Sequence, residues 1–538
     1  MQRWALVKEF TFRAVTRYQA HPQRWRGALV AVLAVIVLVT SIKYAAKIHK
    51  PGDTGQQTRS AFLRWRDMIN GLFAGENIYV GVNEYPNPPI MAFILKPLAA
   101  LPPAIGAMSW FYAKVLMAVL AAVWVFRAVE FPWPRVGGPP STSVAAAEDH
   151  TGADEDYARA EDHARTEDHA RTEAPMGPSQ GRRGSSGTWS ATSPASHHLA
   201  PIVADTTRRD LARAAAIALC LPPLLGDLSH NNVNIFILFL VVGSLEAFRR
   251  RRDTLAGLVL ALAIACKVTP LLFLAYFGWK RCWRVVGATL AGLVLWLVVV
   301  PGFTFGWERN RELLTSWYAL MIERPLLKGE ITSEHANQAL VGFVYRLFTH
   351  SPSYLIYPQN IPTPAEYHNL FDIGHRNAWI VVKALTATFA LAVIGLCRWP
   401  IHRPSDLRAG WPLAAEWGFI CLGMLLFSER TWKHHAVVLL IPMAVLTYAI
   451  AQVELPRWGR RLLIGTVALT FVLMTVPGLL GGRRADLALV YGTHTLAFLL
   501  LTAAVGGLLV YRLRRGDGID RTHTTRNSES TSANDGKV

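Results

Sequence analysis

Apolar runs alternate with short basic turns along most of the chain. Ile235 to Phe248 is apolar, Arg249 to Arg252 are four consecutive arginines, and Leu255 to Cys266 is apolar again before Lys267 and Pro270. Several windows reach the ~18 to 20 residues that cross about 30 Å of hydrocarbon as a helix. Spans are predicted near Ala28 to Thr40, Ala104 to Phe126, Leu211 to Leu225, Ile235 to Phe248, Leu255 to Cys266, Leu271 to Gly278, Val285 to Pro301, Ala378 to Cys397, Trp411 to Phe427, Ala436 to Ile450, Leu462 to Leu479 and Leu487 to Tyr511. The fold class is therefore all-α, a polytopic integral membrane protein of about 12 transmembrane helices. In this order Arg249 to Arg252, Lys280 to Arg284, Arg398 to Arg408, Arg457 to Arg461 and Arg512 to Arg515 share one side. The bias of Lys and Arg in short loops makes that side cytoplasmic.

The interruptions set the domain plan. Residues 1–131 form an N-terminal transmembrane part with the first external loop. Within it, SAFLRWRDMINGLFAG sets Phe62, Trp65, Ile69, Leu72 and Phe73 at helical spacing, as expected of an amphipathic helix lying on the membrane with Trp65 and its arginines at the interface. The following NEYPNPPIMAFILKPLAALPP carries too many prolines for an ordinary span, and broken backbone at that depth requires protein or a water-filled cavity around it. Residues 132–207 are rich in Pro, Gly, Ser, Thr and charge and repeat the hexapeptide EDHART, which predicts a disordered cytoplasmic insertion. Residues 208–515 form the main core, with a long external loop over 303–376, and residues 516–538 form a polar cytoplasmic tail.

Composition agrees with the spans: 52% of the 538 residues are hydrophobic and 17% charged. A net charge of +18 could point to nucleic acid, but the basic residues lie between apolar spans, so the charge reads as topology. The five cysteines lie in or beside apolar spans with no metal or disulfide spacing.

Candidate chemistry gathers on the side opposite the arginines. It comprises Asp53, Asp67, Glu84 and Tyr85 in the first loop, Asp227 and the amides Asn231, Asn232 and Asn234 in the second, Lys267, Asn337 and Gln338 in the long loop, and SERTWKHH at Ser428 to His435. No glycine loop of nucleotide-binding type follows a strand, so no nucleotide cofactor is expected. An activated leaving group outside the membrane must then arrive on a lipid phosphate. Lys267 with Arg430 or His434 could hold a phosphate diester by charge-assisted hydrogen bonds. An aspartate could take the proton of an acceptor hydroxyl, and Asn and Gln could bind sugar hydroxyls.

The series GENIYVGVNEYPNPPIMAFILKPLAALPP, NNVNIFILF, RDTLAGLVLALAIACKVTPLLFL, KRCWRVVGA, NQALVGFVYRLF and SERTWKHHAVVLLIP resembles glycosyltransferase family 87, integral membrane enzymes of GT-C fold similar to mycobacterial α-1,2-mannosyltransferases. The resemblance implies inverting, metal-independent transfer of a hexose, mannose first, from a polyprenyl-phosphate donor to a lipid or glycan acceptor at the outer face of a bacterial cytoplasmic membrane. It implies an aspartate of the first external loop as base, phosphate contacts from Lys267 and the Trp432, His434 and His435 element, and no cofactor. Ser60 or Ala61 stands where the family's acid falls, so Asp53 and Asp67 are both candidates, with Asp227 in reserve. His434 joins them as a catalytic candidate, and Lys267, Asn234, Tyr85, Asn337, Gln338, Arg430 and His435 are expected to bind substrate.

Each choice has a structural competitor. Asp67 beside Arg66 can be a surface ion pair. His434 and His435 can be interfacial residues beside a Trp anchor. Asn337 and Gln338 can cap the helix entering LVGFVYRLF, and Tyr85 can be architectural. The competing class is a transporter or flippase of a lipid-linked substrate, since half-helices meeting at an ionisable group also build carrier sites. Against it stand the absence of an obvious internal duplication and the placement of the polar groups on one face.

Overall fold

The computed structural model describes residues 21–48, 60–80, 85–130, 195–324, 330–356, 363–401 and 406–516. Asp53, Glu84, residues 132–194 of the predicted insertion and the tail after Gly516 lie outside the described residues, while residues 195–207 are helical. The elements in order are α1 Pro22–Ile48, α2 Ala61–Ala74, α3 Pro89–Ala99, α4 Pro103–Val129, α5 Ala195–His230, α6 Asn234–Arg249, α7 Asp253–Cys266, α8 Leu271–Trp279, α9 Trp283–Phe305, α10 Trp307–Tyr318 and α11 Leu340–Phe348. There follow strands β1 Tyr354–Ile356 and β2 Thr363–Glu366, then α12 His375–Leu396, α13 Trp411–Leu426, α14 Lys433–Gln452, α15 Arg457–Leu480, α16 Gly482–Val490 and α17 Thr493–Gly516. Among the described residues, eight helices are long and apolar enough to cross a membrane: α4, α9, α12, α14 and α15 over their full ranges, and Gln23–Ile48, Thr206–His230 and Thr493–Arg515 within α1, α5 and α17. The protein is thus a mostly helical, polytopic membrane protein. The one departure from an all-α fold is the antiparallel pair β1 and β2, in register Ile356 to Thr363.

Helix ends sort into two polar layers, because ionic groups can leave water only in company. At the arginine end, Arg26 at the start of α1 bonds Asp210 at 2.7 Å, and Arg213 on α5 pairs with Glu130 just past α4. There too Arg249 and Arg250 grip Glu246, and Arg408 pairs with Asp253. A little deeper, Lys280 and Arg512 share the buried Glu416 of α13 at 2.8 and 3.4 Å. At the opposite end, Lys47 closes α1 on the Ser229 carbonyl at 2.7 Å, and Asn231 reaches Tyr44 at 2.7 Å. Between the layers α13 is buried along its whole length, whereas α12 fully buries only Ala378 and packs on the core through Phe389, Ala392, Val393 and Leu396.

Two expectations change. α2 forms with the predicted apolar stripe, but Phe62, Trp65, Ile69 and Leu72 are buried in protein and Trp65 meets the Tyr85 ring edge-on. Trp65 is a core residue, not an interfacial anchor, because α3 and α4 already offer α2 an apolar bed. The long external loop is also more ordered than its polarity suggests. Arg346 of α11 is fully buried and donates to the carbonyls of Ser333, Glu334 and Asn337 at 3.0 Å, of Val490 at 2.8 Å and of Leu489 at 3.4 Å. Burial pulls its guanidinium down to about 9, against the pull of Glu334. Hydrogen bonds to charged groups contribute about 1.5 to 3 kcal/mol each but do not add. Arg346→Leu should therefore cost roughly 3 kcal/mol or more in unfolding of the detergent-solubilised protein. Arg346→Lys should recover little of it, since one ammonium cannot reach five diverging acceptors.

Candidate active site

The central side chain of the site is Lys267, and Pro270 is what places it. Proline lacks the N–H a continuing helix needs and disfavours helix in the residues before it. α7 stops at Cys266, Lys267 is extended at φ −158° and ψ 126°, and the chain re-enters helix only at Leu271. The break delivers the ammonium to a narrow cleft whose polar lining is Asn234, Lys267, Thr269, Ser428, Thr431 and His435, with Ile237, Met424, Leu425 and Val438 as its apolar lining. Lys267 Nζ donates to Asn234 Oδ1 at 2.6 Å. Protein surrounds it closely, and this burial pulls its ammonium down to about 8, offset in part by Asp227.

Asn234 is set by the turn between α5 and α6. Asn231 takes the left-handed conformation at φ 54°, which asparagine tolerates better than most side chains. The chain then doubles back so that Asn234 Nδ2 reaches Asp227 Oδ1 at 3.0 Å. Asp227 itself has no free face. Lys114 Nζ lies 3.1 Å from its Oδ2, the Ile235 N–H approaches the same oxygen at 3.5 Å, and both charged side chains are completely buried. A carboxylate so enclosed cannot reach an acceptor hydroxyl, which removes the reserve base.

The histidines enter on the 3-10 turn Lys433–Leu439 that begins α14. His435 lines the cleft, and its Nδ1 accepts from the Trp432 N–H at 3.4 Å. His434 is buried behind it, 5.1 Å ring to ring from His230. The Val233 N–H donates to Asn232 Oδ1 at 2.7 Å, so the Asn232 amide turns its Nδ2 to His434 Nε2 at 3.1 Å. His434 Nε2 is then an occupied acceptor. His434 braces the turn, while His435 faces the cleft.

The other expected residues sort by their partners. The Asn337 amide is fully used, donating to the Thr332 and Glu429 carbonyls at 2.8 and 2.9 Å and accepting from the Ala339 and Thr431 N–H groups, both at 3.0 Å. Gln338 is similarly spent on His335, Leu489, His494 and Thr495. They hold the segment that carries Ser428 and Thr431. Arg430 is exposed at the rim and bonds Glu429 at 2.8 Å, and burial pushes the Glu429 carboxyl up against that pull. Tyr85 is fully buried against Trp65, and burial pushes its hydroxyl up against the pull of Asn87. Asp67 is 86% exposed, pairs among the described residues only with the adjacent Arg66, and makes none of the contacts above. Asp53 lies outside the described residues. Sequence reasoning missed Lys114, although a lysine inside SWFYAKVLMAVLAAVW is a signal that a span carries chemistry or a buried pair. Among the described residues, no group of three or more His, Cys, Asp or Glu side chains is placed to hold a metal ion.

Comparison with known proteins places this site in context. Residues 187–428 match the family described as Glycosyltransferase family 87, a stretch that contains Asn234, Lys267, Asn337 and Gln338 and ends before His434. Two curated proteins, both described as polyprenol-phosphate-mannose-dependent alpha-(1-2)-phosphatidylinositol mannoside mannosyltransferase, are distant relatives. The one from Mycolicibacterium smegmatis is 25% identical over 267 residues, 48% of this chain and 51% of its own length. The one from Mycobacterium tuberculosis is 25% identical over 249 residues, 46% of this chain and 47% of its own. The chain thus spans about half the length of the curated relatives it matches.

Proposed function

Starting from a chain whose residues 187–428 are those of glycosyltransferase family 87, we propose that it is an inverting hexosyltransferase of GT-C architecture. It moves a hexose, mannose first, from a polyprenyl-phosphate carrier to a lipid or glycan acceptor at the outer face of the cytoplasmic membrane. The observation that carries the reading is the cleft itself. A half-buried lysine, a histidine and two hydroxyls, Lys267, His435, Ser428 and Thr431, line a cavity with an aliphatic floor. That lining suits a phosphate joined to a long apolar chain.

Orientation follows from charge. With the arginine end in the cytoplasm, α1, α4 to α9, α12 to α15 and α17 alternate as twelve passes, the insertion 132–207 and the tail fall inside, and the cleft opens outside. There the acceptor hydroxyl loses its proton to an aspartate of the first external loop as its oxygen attacks the anomeric carbon. The bond from that carbon to the phosphate oxygen breaks, and the electron pair leaves on the phosphate. Lys267 and His435 stabilise this growing charge in a site with little water, where fixed donors are worth more than in solution.

The test is transfer of labelled mannose from polyprenyl-phosphate-mannose to endogenous lipid in membranes holding the intact protein. kcat/KM should fall as pH rises above about 8, because the free Lys267 ammonium then loses its proton and its hold on phosphate. The fall in kcat should come at higher pH, since a bound phosphate favours the charged lysine. If no polyprenyl-phosphate sugar is used while a lipid-linked substrate crosses sealed vesicles, the chain is a transporter.

A further inference from the structure

No step of the proposed transfer uses Lys114 or Asp227, yet their pair is the most deeply buried charge near the cleft. Two aliphatic side chains could fill the same volume between α4 and α5 without the cost of desolvating two ions. What the ions provide is direction. Asp227 can only accept, so it fixes the donor side of the Asn234 amide toward itself and turns the acceptor side to Lys267. Turned over, that amide would present its NH2 group to an ammonium. Asp227 is held in its turn by Lys114, which also donates to the Asp227 carbonyl at 3.0 Å and so ties the carboxylate and the last turn of α5 to one point. In this quartet two ammoniums share one carboxylate, which leaves one positive charge uncompensated at the cleft.

We infer that Lys114 and Asp227 are positioning residues that act through Asn234 to hold the Lys267 ammonium where a monoanionic phosphodiester docks. The inference rests on the reading of the cleft as a polyprenyl-phosphate-sugar site. It predicts a loss in donor binding from residues that never touch the donor, and a loss that passes through Asn234 alone.

The experiment compares Asn234→Leu, the double variant Lys114→Met/Asp227→Leu, and the triple, all in the full-length protein in detergent. Donor kcat/KM should fall about 10-fold or more in Asn234→Leu and in the double variant, through a higher KM and a lower kcat together. The triple should be no worse than Asn234→Leu, because the changes interrupt one chain of contacts. A second readout needs no turnover. The pH at which a small amine-reactive reagent labels half of Lys267, followed by mass spectrometry, should fall in Asn234→Leu, which removes the amide oxygen that accepts from the ammonium. Folded variants with wild-type KM and wild-type labelling would overturn the inference. If the double variant fails to fold, Asp227→Asn, which fills the same volume without the carboxylate, takes its place, and a wild-type KM in it would overturn the inference. If labelling shifts as expected while the unaltered protein uses no polyprenyl-phosphate sugar, the positioning stands and the glycosyltransferase reading fails.

Discussion

Lys267→Ala is expected to reduce transfer from polyprenyl-phosphate-mannose by about 100-fold or more while leaving the protein folded. The size follows from where the charge sits. Among the described residues the ammonium is the one cation in the cleft lining, and the leaving phosphate gains charge there as the glycosidic bond breaks. Removing it costs binding of the donor and, more, stabilisation of the departing phosphate, so kcat should fall along with kcat/KM. Lys267→Arg should restore little. The lysine reaches Asn234 Oδ1 at 2.6 Å as a single point, and a longer planar fork entering the same gap would displace the amide or the donor. Arg430→Ala should cost only a few-fold, because that side chain is exposed at the rim and already occupied with Glu429, where solvent screens its charge. Equal losses in the two alanine variants would place the phosphate at the rim and not in the cleft.

The parts of this structure that were legible in the sequence are those encoded by periodicity and by proline. Helices formed where apolar runs were long, the arginine groups did collect at one end of the helices, and the break at Pro270 put Lys267 in the cleft lining. Less legible were contacts between residues far apart in the chain. Nothing local to Lys114 names Asp227 as its partner 113 residues on. Arg346 reads as one more basic residue in a loop, though it is bound to five carbonyls from two segments. Asn337 and Gln338 illustrate the reverse. Amides in an external loop suggest sugar binding, but an amide offers two donors and two acceptor sites, and whether protein or substrate uses them is decided by tertiary packing.

Asp53→Asn is expected to lower kcat by about 100- to 10,000-fold, the usual contribution of a general base, whereas Asp67→Asn should change it only a few-fold. The two acids are equivalent in the sequence, and the anchors of their loop separate them. Lys47, at the end of α1, is bonded to the Ser229 carbonyl next to His230. Ser60, at the start of α2, is bonded at 2.8 Å to Tyr44, which in turn receives Asn231. Both ends of the segment holding Asp53 are therefore fixed beside the turn that carries Asn232 and Asn234. Asp53 lies five positions beyond Ile48, a reach of at most about 18 Å. Lys47, Arg64 and Lys433 lie close enough to act on the charge of His230, so positive charge gathers beside this turn. Asp67 follows Arg64 by one turn of α2, but its side chain is 86% exposed and among the described residues bonds only Arg66. Loss of transfer in Asp67→Asn with Asp53→Asn unaffected would reverse the assignment. It would also require α2 to turn its exposed face to the acceptor. Loss in neither would mean that the acceptor proton leaves by water or by an imidazole, and His435, which lines the cleft, would then be the next group to replace.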